Sequence, residues 1–333
     1  MNRARRFIVM CGWLAGLAAT AGAQPAAPAA APGRDGRWAV IVSGASGGPD
    51  YAVQMAGWRQ AISSALVSRF GFQPAQVVQL VDETARDSGT PATADNLRKT
   101  FTTLKGQVGK DDLVLVVLLG HGTFDGAQAK FNLVGPDLTA ADWSVMLATI
   151  PSRMVVVNTT EASAPFLEAL AAKGRVVITA TETAAQRYAT VFPDYFARSL
   201  ADATSDLDKN GRTSIWELFA AASGGVARHY TERAQLTTER AILSDKGEKS
   251  GVQASATGPQ GTMARSLYLD RDTAAESADP AVRELIGRRR ALEADAEALI
   301  QKKSGAEPGA WAAEFERLMI ELARVSREIR QRS

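Results

Sequence analysis

The chain has 333 residues, of which 46% are hydrophobic and 22% are charged, and its formal net charge at pH 7 is +2. This composition is typical of a globular protein, and the length fits one large domain or a domain with an appendage. Basic residues are spread along the chain, which excludes the continuous basic stripe of a nucleic-acid-binding protein.

Residues 1–23 have the pattern of a secretory signal peptide. Three arginines within the first six residues precede an apolar run from Phe7 to Ala19, and Ala21-Gly22-Ala23 is a small-residue cleavage site. The alternative, an uncleaved membrane anchor, is disfavoured because the apolar run is short and interrupted by glycine. We therefore expect a periplasmic or secreted protein with no membrane span after signal cleavage.

The only cysteine, Cys11, lies inside this signal peptide. After cleavage the chain would have no thiol, so it could form no disulfide and offer no cysteine nucleophile. Residues 24–36 are rich in Ala, Pro and Gly without periodicity, which predicts a linker.

From residue 37 onward, short apolar runs alternate with segments of helical periodicity. Such alternation predicts an α/β domain, here over residues 37–270, in which helices cover both faces of a mostly parallel sheet. The seven apolar residues at 113–119 are typical of a strand buried on both faces. Strands are predicted near 37–43, 77–81, 112–119, 154–157 and 175–180, and helices near 55–70, 94–108, 139–149 and 164–173.

His121 directly follows the most apolar of these strands, within Gly120-His121-Gly122. Open α/β sheets bind ligands at the carboxyl ends of their strands, and the flanking glycines permit a sharp turn. A structural loop histidine without chemistry is the alternative. The loop 43–48 and the polar segment 158–163 follow two other predicted strands, so all three segments belong at the same edge of the sheet.

A strand followed by Gly-His-Gly, then an α/β interval of about 40 residues and a strand ending in a polar loop, is the layout of the caspase, legumain, gingipain and clostripain peptidases. Over about residues 37–230 the chain resembles these families, with Asp82 and the helix start Thr93–Asn96 also in place. The resemblance implies a caspase-like three-layer sandwich in which His121 has the histidine role.

The cysteine turn of these families, Asp-Ala-Cys-aromatic-Ser-Gly-like, corresponds here to residues 158–166. If Ser163 matches the family serine, then Glu161 occupies the cysteine position, and if the register slips by one, Thr160 does. The resemblance therefore implies a catalytically inactive domain that binds a protein or peptide ligand. The alternative is an active hydrolase that uses His121 with the hydroxyl of Thr160 or Ser163. Ser163 and its neighbouring threonines could also cap the helix predicted from Ala164.

Residues 206–217 match the twelve-residue calcium loop D-x-[DN]-x-[DN]-G-x5-E without a departure. Helical patterns lie on both sides, as in an EF-hand, although the eighth position is Thr213 and no second, paired loop is evident. The alternative is an acidic surface turn with a helix cap. We expect a structural Ca²⁺ site, because even a weak site would be filled outside the cell. The expected ligands are Asp206, Asp208, Asn210, the carbonyl of Arg212, Ser214 through a water, and Glu217.

The C-terminal segment 279–333 has apolar residues at heptad-like spacing, interrupted around 304–309. This spacing predicts two helices with a coiled-coil seam, each too polar to be stable alone. We expect them to fold back as a hairpin or to associate with another copy or a partner, and packing on the α/β domain is the alternative. Between the calcium loop and these helices, residues 244–262 are predicted to be a mobile loop and Leu267–Leu269 a short strand. The seam residues are Leu285, Leu292, Leu299, Phe315, Leu318, Leu322, Val325 and Ile329.

Overall fold

The computed structural model describes residues 36–82, 89–186, 188–256, 261–271, 279–301 and 307–332. The predicted signal peptide with Cys11, and all but the last residue of the predicted linker, lie outside these residues. No helix in the described part is long and apolar enough to cross a membrane.

Seven of the described strands form one sheet, and three short ones form a second sheet beside it. In the large sheet the strand order is β10-β9-β8-β4-β1-β2-β3, and every pairing is parallel except that of β10 with β9. The strands are β1 Arg37–Ser43, β2 Val77–Val81, β3 Thr90–Pro91, β4 Leu113–Leu119, β5 Gly122–Phe124, β6 Ala129–Phe131, β7 Leu138–Thr139, β8 Arg153–Asn158, β9 Arg175–Thr179 and β10 Ile242–Ser244.

Helices cover both faces of the large sheet. Their bounds are α1 Pro49–Ser68, α2 Ala94–Lys105, α3 Ala140–Ala148, α4 Ala164–Leu170, α5 Phe192–Ala201, α6 Ile215–Glu232, α7 Thr262–Ser266, α8 Pro280–Gln301 and α9 Pro308–Arg332. Side chains of α1, α5 and α6 share one apolar core with the sheet, and those of α2, α3 and α4 share the other. The three-layer α/β sandwich with a mostly parallel sheet is confirmed.

Strand β4 lies at the centre of this arrangement, and all seven of its residues are buried. Because successive side chains of a strand point to opposite faces, Leu115 and Val117 pack in one core while Val114 and Val116 pack in the other. The apolar run in the sequence is therefore explained by burial on both faces.

The region after α6 contains short elements that the sequence did not predict. The antiparallel edge strand β10 was not predicted, because it has only three residues and follows a polar segment. Within the predicted loop 244–262, Val252 forms a bridge with Leu243 and α7 begins at Thr262, while residues 257–260 lie outside the described residues. Tyr268 forms a single bridge with Ser214 instead of the predicted strand.

Helices α8 and α9 pack against each other as a hairpin and have an apolar core of their own. Trp311 of α9 donates from Nε1 to the carbonyl of Leu299 of α8 at 2.9 Å, close to the end where the two helices are joined. All predicted seam residues except Phe315 belong to this core or pack against it, and Val282, Ile286 and Ala296 also contribute.

Candidate functional site

Three loops meet at the carboxyl edge of the sheet, because β1 and β8 both pair in parallel with β4. These loops are residues 43–48, 120–122 and 158–163. The amide of Gly44 donates to the carbonyl of Leu119 at 2.9 Å, which joins the first loop to the end of β4. Gly120 has a φ of 138°, a conformation that L side chains rarely adopt, so the turn before His121 requires glycine.

The imidazole of His121 lies between a carboxylate and an aromatic ring. Its Nδ1 atom is 3.0 Å from Oε1 of Glu161, and its ring stacks on Tyr51 with centroids 4.4 Å apart and planes at 24°. The hydrogen bond to Glu161 raises the pKa of His121, against the opposing effect of burial, and a hydrogen bond to the backbone of Ser46 raises it further. These contacts favour the imidazolium form.

Glu161 is the residue of the 158–163 loop that faces His121. Only 9% of its surface is exposed, and its second oxygen, Oε2, is buried without a hydrogen-bond partner among the described residues. The neighbouring carboxylates of Glu161 and Glu239, together with burial as the main cause, raise the pKa of Tyr51. Glu161 is therefore the residue of this loop that is hydrogen-bonded to the imidazole.

Thr160 and Ser163 have other surroundings. The Oγ1 atom of Thr160 is buried without a partner in the described part and lies under Gly122, where an added Cβ would be only 2.6 Å away. The hydroxyl of Ser163 is 3.0 Å from that of Thr181 and also accepts from the Thr181 amide at 3.2 Å. Both side chains are fully buried. Neither forms a hydrogen bond with His121.

The predicted capping role of the loop hydroxyls is wrong. Ser163 is the residue before α4, but its side chain makes no capping hydrogen bond. Instead the hydroxyl of Thr181 accepts from the Ala164 amide at 3.2 Å and donates to the carbonyl of Glu161 at 3.2 Å. Thr181 follows β9, and β9 lies next to β8 in the sheet. Its role in the 158–163 loop could therefore be predicted only from the order of the strands in the sheet.

Other residues that shape the site were also missed. Thr190 donates from its hydroxyl to the carbonyl of Thr159, which fixes the start of the 158–163 loop. The carboxylate of Glu239 accepts from the amide of Val191, and burial raises the pKa of Glu239 to about 7. Asp82, which the sequence did place at a strand end, accepts from the Ser46 amide at 3.0 Å and holds the first loop.

An open groove of about 970 Å³ lies beside these loops. Its lining combines apolar side chains, including Phe124, Pro165 and Val252, with charged ones at the rim, including Glu168 and Lys249. Phe124 belongs to β5, which starts directly after His121, and Pro165 follows the 158–163 loop. The groove therefore continues from the elements that carry His121 and Glu161.

The calcium-type loop brings its acidic residues together. Carboxylate oxygens of Asp206, Asp208 and Glu217 all lie within 4.8 Å of one another. The loop turns through Lys209 and Gly211, which have φ angles of 58° and 87°. Burial is the main cause that raises the pKa of Asp208 to about 7, and the charges of Glu217 and Asp206 add to it.

The remaining expected ligands lie in the same loop. Asn210 is buried, and its Oδ1 accepts from the Arg212 amide at 2.8 Å. The hydroxyl of Ser214 caps α6, because it and Glu217 form a reciprocal capping box. The alternative interpretation of this motif was an acidic turn with a helix cap. That cap is present, and Glu217 belongs both to it and to the cluster of carboxylates.

The sequence departs from a typical EF-hand in two ways, namely Thr213 at the eighth position and no evident second loop, and the structure explains both. Thr213, at the usual apolar position, is buried, and its hydroxyl accepts from Arg69 at 2.7 Å. In place of a second loop, the segment 267–270 pairs with this one: the amide of Ile215 donates to the carbonyl of Leu267 at 2.9 Å.

Asp270 makes a second contact between the 267–270 segment and the loop. Its Oδ2 accepts from Nε of Arg212 at 2.7 Å, and the guanidinium of Arg212 lies over the Tyr268 ring, 4.0 Å from its centroid. This contact could not be predicted from sequence patterns, because 58 residues separate the two partners.

His229 lies on α6, away from both sites. Its Nδ1 atom is 3.2 Å from the hydroxyl of Tyr195, and burial is the first cause that lowers the pKa of His229.

No protein-family model and no curated protein matches the chain. Among solved structures, the Drosophila initiator caspase Dronc is similar with a TM-score of 0.45 and 12% sequence identity, over 66% of this chain and 82% of the caspase. A protein from Geobacter sulfurreducens is similar with a TM-score of 0.40 and 14% identity, over 62% of this chain and 92% of that one. These likenesses concern the course of the backbone and say nothing about the chemistry of the cleft.

Proposed function

We propose that this chain is an exported caspase-like domain that has no peptidase nucleophile and binds a protein or peptide ligand. The observation that carries the proposal is the 3.0 Å contact between Glu161 and His121. Glu161 occupies the place where the resemblance expects a cysteine, and a carboxylate is not an acyl-transfer nucleophile for peptides. The signal-like residues 1–23 support export, and the lack of any cysteine beyond Cys11 supports inactivity.

The state of His121 also argues against catalysis. A general base must have a nitrogen free to take a proton from the nucleophile. The imidazolium form satisfies both the Glu161 carboxylate and the Ser46 backbone. The hydrogen bond to Glu161, the charge of Glu161 and the hydrogen bond to Ser46 all raise the pKa of His121. We infer that the histidine holds the two loops together in the cleft and does not transfer protons.

The alternative enzyme, with a hydroxyl nucleophile, lacks support from the contacts. Ser163 is hydrogen-bonded to Thr181, and Thr160 is fully buried beneath Gly122. A hydroxyl nucleophile needs a base within hydrogen-bond reach. The described contacts of His121, Thr160 and Ser163 include no hydrogen bond between either hydroxyl and the imidazole.

The groove beside the cleft supports a peptide as the ligand. Peptide-binding sites combine apolar pockets with a few polar groups that fix orientation. The groove has the exposed ring of Phe124 on one side and the charged side chains of Glu168 and Lys249 at its rim. We propose that an extended peptide lies in this groove and reaches the partly exposed ring of His121.

We propose further that the 206–217 loop binds Ca²⁺ structurally. The donor set fits calcium, since carboxylate and carbonyl oxygens are its preferred ligands and three carboxylates converge here. The residues that would hold the ion are those named from the sequence: Asp206, Asp208, Asn210, the Arg212 carbonyl, Ser214 through water and Glu217.

The cleft proposal is tested with the purified protein and a fluorogenic peptide library. We expect no hydrolysis, whereas turnover that disappears in His121→Ala would establish the alternative enzyme. Binding is followed by NMR, because the chain has only two histidines. Peptides that occupy the cleft should shift the ring protons of His121 and leave those of His229 unchanged, and shifts of neither ring with any peptide would contradict the binding proposal.

Calorimetry tests the calcium proposal separately. We expect the purified protein to bind one Ca²⁺, and Glu217→Gln to remove the heat of binding while Glu232→Gln, at the far end of α6, leaves it unchanged. Equal binding by wild type and Glu217→Gln would contradict the site.

A further inference from the structure

Strand β5 has one edge that pairs with no other strand. It is the outermost strand of the three-stranded sheet, whose order is β5-β6-β7, and both pairings in that sheet are antiparallel. Among the described strands, none pairs with the side of β5 that points away from β6. Because β5 covers residues 122–124, this open edge begins directly after His121.

The register shows which backbone groups point to the open side. The carbonyl of His121 and the amide of Asp125 both form hydrogen bonds across the β5–β6 hairpin, at 3.0 Å and 3.3 Å. In an antiparallel pair, residues that point their N–H and C=O groups at the partner alternate with residues that point them away. Residues 121, 123 and 125 therefore face β6, and the backbone groups of Gly122 and Phe124 point away from it.

The open edge has none of the features that usually prevent further strand pairing. Such edges are commonly blocked by proline, lysine or a bulge. The strand Gly122-Thr123-Phe124 has no charged residue and no proline, and its pairing with β6 is regular. Its last two residues are exposed. The N–H and C=O groups of Phe124 are thus accessible to a second extended backbone.

The ring of Phe124 connects this edge with the groove. Side chains of a strand alternate between its two faces, so Gly122 and Phe124 share one face. A Cβ added to Gly122 would meet Thr160 and Ala162, which places the 158–163 loop on that face. Phe124 itself lines the groove together with Pro165. A strand added beside β5 would therefore direct every second side chain into the groove.

The charges of the groove are balanced within the chain. Glu168 is paired with Lys249 at 3.0 Å, and Glu182 is paired with Arg240 at 3.3 Å. Every other described residue of the lining is uncharged. This balance fits a ligand segment that is uncharged where it enters the groove and is held through its backbone.

We infer that the ligand of the cleft is an extended segment of another protein that adds to β5 as an antiparallel fourth strand. The inference rests on the proposed function, because it specifies how the proposed ligand is held. In this mode, main-chain hydrogen bonds supply affinity and alternate side chains supply specificity. Directly opposed residues of an antiparallel pair lie on the same face. The ligand residue opposite Phe124 therefore pairs with its N–H and C=O groups and also places an apolar side chain in the groove.

An N-methyl scan of a bound peptide tests the inference. The probe is the library peptide that shifts the His121 ring protons most, and each of its amides is methylated in turn. We expect methylation of one residue to weaken binding to the full chain about tenfold, the effect of a lost hydrogen bond, while methylation of its two neighbours is tolerated. Aspartate at that same residue should also weaken binding.

The outcomes of this scan separate the inference from the binding proposal. A probe that binds but shows no such alternation, or whose sensitive amide and apolar side chain belong to different residues, would overturn the inference and leave peptide binding intact. A library in which no peptide shifts the His121 ring protons would overturn both.

Two variants at one position isolate the backbone amide of β5. Phe124→Ala removes the ring and keeps the N–H group, whereas Phe124→Pro removes both, and proline is tolerated where the N–H of an edge strand faces outward. We expect Phe124→Pro to bind the probe about tenfold more weakly than Phe124→Ala. Equal affinities of the two folded variants would contradict the inference.

Hydrogen exchange in the wild type gives the same test without a substitution. With saturating probe, the amide of Phe124 should exchange more slowly, and the amide of Thr123, which already faces β6, should not change. Unchanged exchange at Phe124 would overturn the inference.

Pairing of β5 with a second copy of this chain is the competing arrangement. Sedimentation velocity distinguishes it, because the inference predicts a monomeric wild type whose edge is open to the ligand. A dimer that is present in Phe124→Ala and lost in Phe124→Pro would show that β5 pairs with its own copy and would overturn the inference.

Discussion

Glu161 determines what the imidazole of His121 can do. Its carboxylate accepts the Nδ1 hydrogen bond at 3.0 Å and thereby favours the charged form of the imidazole. The stacked ring of Tyr51 on one face restricts the imidazole further. At the residue scale, the cleft contains a partly buried ion-pair contact between the two loops that carry His121 and Glu161.

The pH dependence of this contact gives the first prediction. Because the pKa of folded His121 is raised, its pairing should contribute stability that is fully present below the unfolded value of about 6.5 and is lost as pH rises through the folded pKa. Glu161→Gln should lower the pKa of His121 in an NMR titration. Its free energy of unfolding should differ most from wild type near pH 6 and converge with it at high pH; a constant difference across pH would contradict the pairing.

Gly122 gives a second prediction at the residue scale. An alanine Cβ there would lie 2.6 Å from the Thr160 hydroxyl and 3.2 Å from the Ala162 side chain. We expect Gly122→Ala to destabilise the protein by about 1–3 kcal/mol in urea denaturation, because the buried loop has to move. The loss of unfolding free energy caused by Gly122→Ala should be smaller when Thr160 is also changed to Ala.

Gly57 is the matched control for this substitution. It lies within α1, and an added Cβ would meet nothing within 4 Å. Gly57→Ala should be neutral or stabilising by up to about 1 kcal/mol, because glycine is a poor helix former. If the two alanine substitutions changed the unfolding free energy equally, the packing beneath the His121 turn would not be tight.

At the scale of elements, the 206–217 loop that we propose as a calcium site is held by a segment outside its motif. Arg212 forms an ion pair with Asp270 and lies over the ring of Tyr268, and the 267–270 segment pairs with the loop through the bridge of Tyr268 with Ser214. We predict that Asp270→Asn weakens Ca²⁺ binding about tenfold in calorimetry, although Asp270 is not a ligand, because it positions the Arg212 carbonyl.

Asp194→Asn is the control for that variant. Asp194 forms an ion pair with Arg198 on α5, at 2.8 Å, and does not contact the loop. It should leave Ca²⁺ affinity unchanged. If both variants had the same Ca²⁺ affinity, the Arg212–Asp270 ion pair would have no role in the site.

Elements with a strong periodic pattern were predictable from the sequence, and the short ones were not. The run at 113–119 indicates β4 because only a doubly buried strand needs so many apolar residues in succession. Strand β10 has three residues and depends on pairing with β9, a contact between distant parts of the chain. Of the site residues, His121 was identified by its position after a strand, whereas Tyr51 and Thr181 reach the cleft only through the packing of α1 and β9.

At the scale of the whole molecule, Ca²⁺ binding should raise stability. An ion that binds only the folded state stabilises it by about 2.7 kcal/mol at one hundred times its dissociation constant. We predict that chelation with EGTA lowers the melting temperature of the wild type and that Glu217→Gln is insensitive to the chelator. Equal melting temperatures of the wild type with and without Ca²⁺ would contradict a structural role.

The overall architecture followed from alternation of apolar and amphipathic segments, whereas the relation between the parts did not. The three-layer sandwich needed only the order of predicted strands and helices. The pairing of the 267–270 segment with the calcium loop, and the packing of α8 on α9 as a hairpin, are contacts between separate segments that periodicity leaves open.

The account depends most on Glu161 occupying the place of the missing nucleophile, and Glu161→Cys tests this most directly. We measure the rate of iodoacetamide alkylation of the purified variant as a function of pH, with Glu161→Cys/His121→Ala as the reference. If the position faces the imidazole, pairing with His121 should bring the thiol pKa clearly below the usual value of about 8.5, and His121→Ala should restore that value. A thiol pKa near 8.5 that is indifferent to His121 would contradict the account.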